Sequence, residues 1–395
     1  MPFQPFPLIT DALLWLLVAA LAFYAWVCSR RPALAAPWRR VFRSRAAAVC
    51  TVVLGCYALV GLADSLHFRV RLESLAGAAP VYSPEVLSVL DLALSHLRER
   101  RERSYSAPLA TRLSSREQMV VEGKPVRDFP RLAHGGAHLE DEAERARDIA
   151  ARIGLGLACT GFAAVALGLA VRRLRRRHPQ VPWSAAGATL LVILALALPV
   201  AFLAQGYHVF GTDKVGQDVL YQALKSIRVS LVLGTLTTLV LLPLGIALGV
   251  MAGYFRGWID DLIQYLYTTL NSIPGVLLIA AAVLMMQVVI DRNADWFATA
   301  AQRADARLLV LCAILGLTSW TGLARLLRGE SLKLSELEYI QAAHAFGVSD
   351  ARILSRHILP NVAHIVIIAL VMDFSGLVLA EAVLSYVGVG VDPAT

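Results

Sequence analysis

Two carboxylates, Asp373 and Glu381, stand inside the last strongly apolar segment of this 395-residue chain. A carboxylate in hydrocarbon is costly unless it is paired or faces water, so each is a candidate for ion coupling, substrate contact or an internal pin. At about 100° per residue their separation leaves them roughly 80° apart, on neighbouring faces of a helix. A second polar group lies in FGTDKVGQD, where Asp213 and Asp218 flank Gly216 and can cap or pin a short helix. Arg228, further on, can anchor at a membrane interface. His134 and His138, in HGGAH, have no acidic or Cys company and read as loop, so no metal site is expected. No Gly-x-x-x-x-Gly-Lys-Ser/Thr phosphate loop occurs, so the chain itself should bind no ATP.

The elements that must carry these groups are membrane helices. Hydrophobic residues make up 57% of the chain and charged residues 17%, with a mean hydropathy of +0.61, which excludes an ordinary soluble domain. The net charge of +8 comes largely from two runs beside apolar segments, Arg30, Arg31, Arg39, Arg40, Arg43 and Arg45, then Arg172, Arg173, Arg175, Arg176 and Arg177. That pattern is positive-inside topology and not a nucleic-acid site. All five cysteines, Cys28, Cys50, Cys56, Cys159 and Cys312, fall in or at the ends of apolar segments, so no disulfide framework is visible.

Spans of roughly 20 apolar residues cross a hydrocarbon core about 30 Å thick. About eight are predicted, over Leu8–Val27, Ala46–Ala63, Ile149–Val171, Ala185–Ala204, Val229–Gly253, Leu262–Ile290, Leu308–Leu327 and Val362–Val387. The first has basic residues after it and none before it, which argues against a cleaved signal and puts the N-terminus outside. Alternation then places both arginine runs, the Arg256 turn and the Ala342 region inside. The long loop 64–148 falls outside, and its Pro84–Arg103 stretch has helical spacing, predicting a small extracytoplasmic helical subdomain. Gly245, Gly249 and Gly253 repeat every four residues and allow close helix packing, while Pro243 and Pro274 predict kinks.

Between the last two spans lies YIQAAHAFGVSDARILSRHILPN, a polar helix-turn-helix. Ala342 and Ala343 leave a face without bulk, Gly347 can end the first helix, Ser349 and Asp350 can cap a second, and Pro360 is expected to stop it. An element of this kind at the cytoplasmic surface is suited to a partner. It resembles the coupling loop of ABC importer permeases, Glu-Ala-Ala, three residues, Gly, nine residues, Ile, one residue, Leu-Pro. Ala342, Ala343, Gly347, Leu359 and Pro360 match, whereas Gln341 replaces the Glu and His357 the Ile. The outer stretch is similar to the Leu-Gly-Thr-Asp, two residues, Gly-Arg-Asp signature of the dipeptide and oligopeptide permeases and their following Arg-Val-Ser-Leu. Gly211, Thr212, Asp213, Gly216, Asp218, Arg228, Ser230 and Leu231 match, with Gln217 in place of Arg. AEAVLSYVGVG, containing Glu381, Gly388 and Gly390, resembles a third block.

The resemblance implies an all-α, polytopic membrane bundle of the ABC importer type, in the bacterial inner membrane, for peptides, peptide-like antibiotics or chelated nickel. It implies two ATPase subunits carrying ATP and Mg, a second permease subunit, an extracytoplasmic substrate-binding protein and the lipid bilayer as partners, and no enzyme activity of its own. Gln341, Ala342, Ala343, Gly347, Ser349, Asp350, Leu359 and Pro360 would then couple to the ATPase. Gly211, Thr212, Asp213, Gly216, Asp218, Arg228, Asp373 and Glu381 would form the outer gate or substrate path. Residues 1–178 are expected to be an N-terminal extension with three spans, and residues 185–395 the permease domain. The family continues with one further span, which this chain is expected to lack or to have lost by truncation at Thr395. The competing reading is an ion-coupled secondary transporter or channel using Asp373 and Glu381.

Overall fold

A computed structural model of the chain describes residues 3–72, 82–121, 124–297 and 299–386. Gly388 and Gly390 lie outside them. Among the described residues eight helices are long and apolar enough to cross a membrane, the number expected from hydropathy. The first three are α1 (Ile9–Arg30), α3 (Arg45–Asp64) and α6 (Arg145–Arg177), with a short α2 (Pro32–Phe42) between α1 and α3. The others are α7 (Trp183–Ala204), α8 (Val219–Phe255), α10 (Gly275–Arg292), α11 (Ala300–Ser335) and α14 (Leu359–Tyr386).

The centre of the bundle is the pair α8 and α11. Along their seam a Cβ at Gly249 would lie 2.6 Å from the Ala324 carbonyl oxygen, and one at Gly253 2.5 Å from that of Arg328. The glycine repeat therefore sets how closely two backbones approach. Val232, Leu233, Leu311 and Leu315 are fully buried beside this seam, and α14 joins them through the Phe374 ring, which occupies the space a side chain at Gly234 would need. A similar close approach joins α6 to α7, where a Cβ at Gly156 would lie 2.5 Å from Pro199 Cα.

The prolines act differently from one another. Helix α8 runs through Pro243, whereas Pro274 breaks the span predicted over Leu262–Ile290 into an amphipathic α9 (Gly257–Ser272) and the shorter α10. With no N–H to give and with φ fixed, Pro274 suits the residue just before a new helix, where its carbonyl accepts the first helical bonds, and not the middle of an old one.

The loop 64–148 is mixed and not simply helical. Strand β2 (His67–Val70) lies between β1 (Phe3–Pro5) and β3 (Leu87–Ser88) in an antiparallel sheet, and β4 (Glu117–Val121) pairs with β5 (Lys124–Asp128). The stretch Pro84–Arg103 holds only two single-turn helices, α4 (Val89–Ala93) and α5 (Ser95–Glu99). Pairing with β2 keeps Leu87 and Ser88 extended, and a Ser88–Asp91 capping box starts α4 only after them. Burial of Leu97 with Leu203, Ala204 and Val209 then fixes the path that follows, so tertiary packing overrides the helical spacing.

Candidate functional site

At the Phe255 end of the central pair the chain folds into α12 (Glu338–Ala345) and α13 (Asp350–Ile353). Helix α12 ends on Gly347 at φ +71°, with the Gly347 N–H donating to the His344 carbonyl at 2.9 Å and the Val348 N–H to that of Ala343 at 3.1 Å. These are the two bonds of a Schellman turn, and the positive φ explains the glycine. Ile340, Ile353, Ile358 and Val362 are fully buried against α8 and α11, with Ala343 partly buried beside them. Gln341, Ala342, His344 and Ala345 remain exposed, and Phe346 is 86% exposed at the tip. Gln341 donates from its side chain to the Glu336 carbonyl.

Two sequence expectations fail here. The Ser349 side chain makes no capping bond, although its carbonyl accepts from Arg352 and Ile353, and Asp350 instead accepts from the Tyr254 hydroxyl at 2.7 Å. Pro360 does not stop the second helix. The chain passes from α13 through a π-helical turn, Leu354–Ile358, straight into α14, with Leu359 and Pro360 in its first turn. The wider turn accommodates a residue that has no N–H and would clash with a regular turn before it.

Tyr254 ties this loop to α8. Its hydroxyl also lies 2.8 Å from His344 Nε2, and its ring stacks on the imidazole with centroids 5.6 Å apart. Nearby, Arg328 of α11 grips Asp260 of α9 through two bonds of 2.5 and 2.6 Å, which holds the Asp260 carboxyl below its usual range. Loop, α8, α9 and α11 thus form one connected unit.

At the opposite end Asp218 caps α8 and does not pin a separate helix, its Oδ1 accepting from Leu220 N at 2.8 Å and Tyr221 N at 3.3 Å. Asp213 closes the preceding turn by accepting from Val215 and Gln217. Asp218 Oδ2 lies 2.6 Å from His208 Nδ1, whose Nε2 faces Glu102 at 3.4 Å, and all three side chains are buried. Glu102 also accepts from the backbone N–H groups of Ala133, His134 and Gly135, so the HGGAH loop serves as its amide cradle. Burial opposes the His208 charge, but hydrogen bonds to Asp218 and Glu102 outweigh it and raise its pKa to about 9. For Glu102, burial is likewise outweighed by the bonds from His208 and the three amides, leaving it at about 2.

Gly211 and Gly216, both at positive φ, are where the 64–148 loop presses on this turn. A Cβ there would lie 2.2 Å from the Ser106 carbonyl oxygen and 1.8 Å from that of Glu102. Thr212 donates to the Ser104 carbonyl at 2.8 Å. Arg228 is not an interface anchor: it pairs with Asp11 of α1 at 2.6 Å, and Asp11 also meets His67 at 2.7 Å. Lys225 reaches Asp91 at 2.9 Å and Asp64 at 3.5 Å. Asp305 at the start of α11 accepts from Ile9 N and Thr10, holding the first turn of α1.

Asp373 and Glu381 join neither cluster. Both are half-buried along α14; Glu381 accepts from Ser385 one turn on, and no described residue hydrogen-bonds or ion-pairs with Asp373. Sequence reasoning missed Tyr254, His344, Asp11, Glu102 and His208. Of these only Asp11, an acid at the head of an apolar run, carried a signal visible without the fold.

The profile described as "Binding-protein-dependent transport system inner membrane component" matches residues 245–394. The glutathione transport system permease protein GsiD of Pectobacterium atrosepticum is 31% identical over 239 residues, 56% of this chain and 72% of the relative. The oligopeptide transport system permease protein OppC of Mycobacterium tuberculosis is 31% identical over 240 residues, 57% of this chain and 76% of the relative. The dipeptide transport system permease protein DppC of Bacillus subtilis is 28% identical over 184 residues, 47% and 52% of the two chains.

Proposed function

Because the chain belongs to the family of binding-protein-dependent transport system inner membrane components, a transport subunit and not an enzyme, we propose that it moves peptides or peptide-like cargo. It is the multi-pass permease subunit of an ATP-driven importer, and the names of its relatives support the cargo class. The permease works beside a second permease, on two ATPase subunits that carry ATP and Mg, with cargo delivered by an extracytoplasmic binding protein. The N-terminus and the 64–148 loop face outside and the Ala342 loop faces the cytosol.

The observation that carries this reading is the coupling loop. Ala342 and Ala345 form an exposed face without bulk, with Phe346 projecting at its tip, while four fully buried side chains root the loop in α8 and α11. A push on that face cannot be absorbed locally, because interfaces packed this closely shift as units. Closure of the ATPase pair on ATP therefore moves α12 as a rigid body, and α8 and α11 transmit the movement toward the Asp218 end. ATP supplies the bias through its preference for the closed ATPase pair. Asp373 and Glu381 then have no ion-coupling task. We further propose that residues 1–178 act as an extension that braces the permease domain, 185–395, through Asp11, Asp64, Asp91 and Glu102.

The test is purification of the tagged chain in mild detergent with identification of its companions. An ATPase pair and a second permease are expected, with peptide-stimulated ATP hydrolysis once the binding protein is added. A homodimer alone that moves peptide with a proton gradient and no ATP would overturn the reading.

A further inference from the structure

Neither arginine run meets a counter-charge among the described residues. Residues 12–63 and 149–212 contain no Asp or Glu, and no arginine of either run forms an ion pair among the described residues. The fold brings the runs together, since Arg43 donates to the Gln180 side chain in the turn between α6 and α7. Beside that bond lies a groove of about 440 Å³ bounded by α1, α2 and this turn, a size within the roughly 300–1,000 Å³ of ligand clefts. Its surface is apolar, formed by Tyr24, Cys28, Ala35, Trp38 and Phe42, and Arg39 and Arg43 stand on its rim. Trp38 donates to the Tyr24 hydroxyl at 3.4 Å, fixing two rings at the height where α1 ends.

We propose that this groove binds one anionic phospholipid, with an acyl chain along the Tyr24–Trp38–Phe42 surface and the phosphate between Arg39 and Arg43. Three features point to lipid. The groove lies where a span meets the membrane boundary. Helix α2 leaves Leu34, Trp38, Val41 and Phe42 exposed next to Arg39 and Arg40, the composition of a helix lying in the interface. The arginines of both runs have no ion-pair partner among the described residues, and a juxtamembrane basic cluster attracts acidic headgroups.

The test uses the full chain in detergent, stripped of lipid, and native mass spectrometry with phosphatidylglycerol or phosphatidylcholine of identical acyl chains. Phosphatidylglycerol should be retained about tenfold more strongly, and Arg39→Gln with Arg43→Gln should weaken it about 25-fold, roughly fivefold per arginine. Trp38→Ala should weaken both lipids, whereas Lys214→Gln at the opposite end should change neither. Equal retention of the two lipids by the unaltered chain would overturn the proposal, whatever the fold of any variant. So would complete displacement of phosphatidylglycerol by millimolar inorganic phosphate, which would reduce the site to a headgroup pocket. A photo-crosslinker at position 38 that captures a protein subunit in native membranes, and no lipid, would also overturn it.

Discussion

The two ends of α8 use the same residue types in opposite ways. At the Asp218 end the carboxylates of Asp11, Asp64, Asp91, Glu102 and Asp218 are buried and meet Arg228, Lys225 and His208, so charge is consumed inside the protein. At the Phe255 end one pair, Arg328 with Asp260, is largely buried and ties α11 to α9, while Arg256 with Glu336 is exposed and the root of the loop itself is apolar. A buried pair resists separation because each lone charge would be left in low dielectric. An apolar root under an exposed face can tilt as a body while keeping its contacts. The first arrangement suits a fixed point and the second a surface that is pushed.

The sharpest way to break this comparison is Ala343→Asp. A carboxylate placed over the Ile340–Ile353 packing, directly beneath the proposed docking face, should abolish transport, measured as peptide uptake in vesicles, while membrane insertion is retained. Normal uptake with normal ATPase association would remove α12 from the mechanism. The matching change at the other end, Asp218→Ala, strips a buried imidazolium of its closest partner and should cost about 3–5 kcal/mol. It should lower the melting temperature and the uptake rate while leaving ATPase association intact.

A smaller effect is expected from Tyr254→Phe, which deletes the hydroxyl bonded to Asp350 and His344 and should cost roughly 0.5–1.5 kcal/mol. Peptide-stimulated ATPase activity should fall more than thermal stability does; equal falls would make Tyr254 merely structural. The mildest prediction concerns pH. Folding raises His208 from 6.5 to about 9, so its stabilisation is complete below about 6.5 and is lost as pH rises through about 9. Folding lowers Glu102 from 4.5 to about 2, so its share is complete above about 4.5 and lost as pH falls toward 2. The melting temperature should therefore decline above neutrality, and His208→Gln should flatten that decline. A profile unchanged by the substitution would show that the pair does not brace the Asp218 end.

Legibility in the sequence followed the range of the interaction. Gly347 could be read in advance because a Schellman turn is written in consecutive residues, and the Gly245–Gly249–Gly253 stripe because a helix repeats its own face. The role of Asp218 as a cap was legible for the same reason, but not its bond to His208, nor the reach of Glu102 from the far side of the loop. Pro360 and Ser349 were misread because local rules assume that a helix begins or ends where its residues prefer. Here α13 is held by Ile353 and Ile358, and the helix continues into α14 at the cost of one widened turn.

The amino-acid sequence by itself determined that the chain is a bundle of about eight membrane helices with a polar helix-turn-helix between the last two, because hydrocarbon thickness, charge bias and turn chemistry act over short stretches. Only the tertiary structure decided that the long loop grips the Gly211–Asp218 turn, that Arg228 of α8 faces Asp11 of α1, and that Tyr254 holds the Glu338–Ile353 loop to α8. Those pairings join residues far apart in the chain. Each is stabilised by removing both partners from water together, which no single segment can specify.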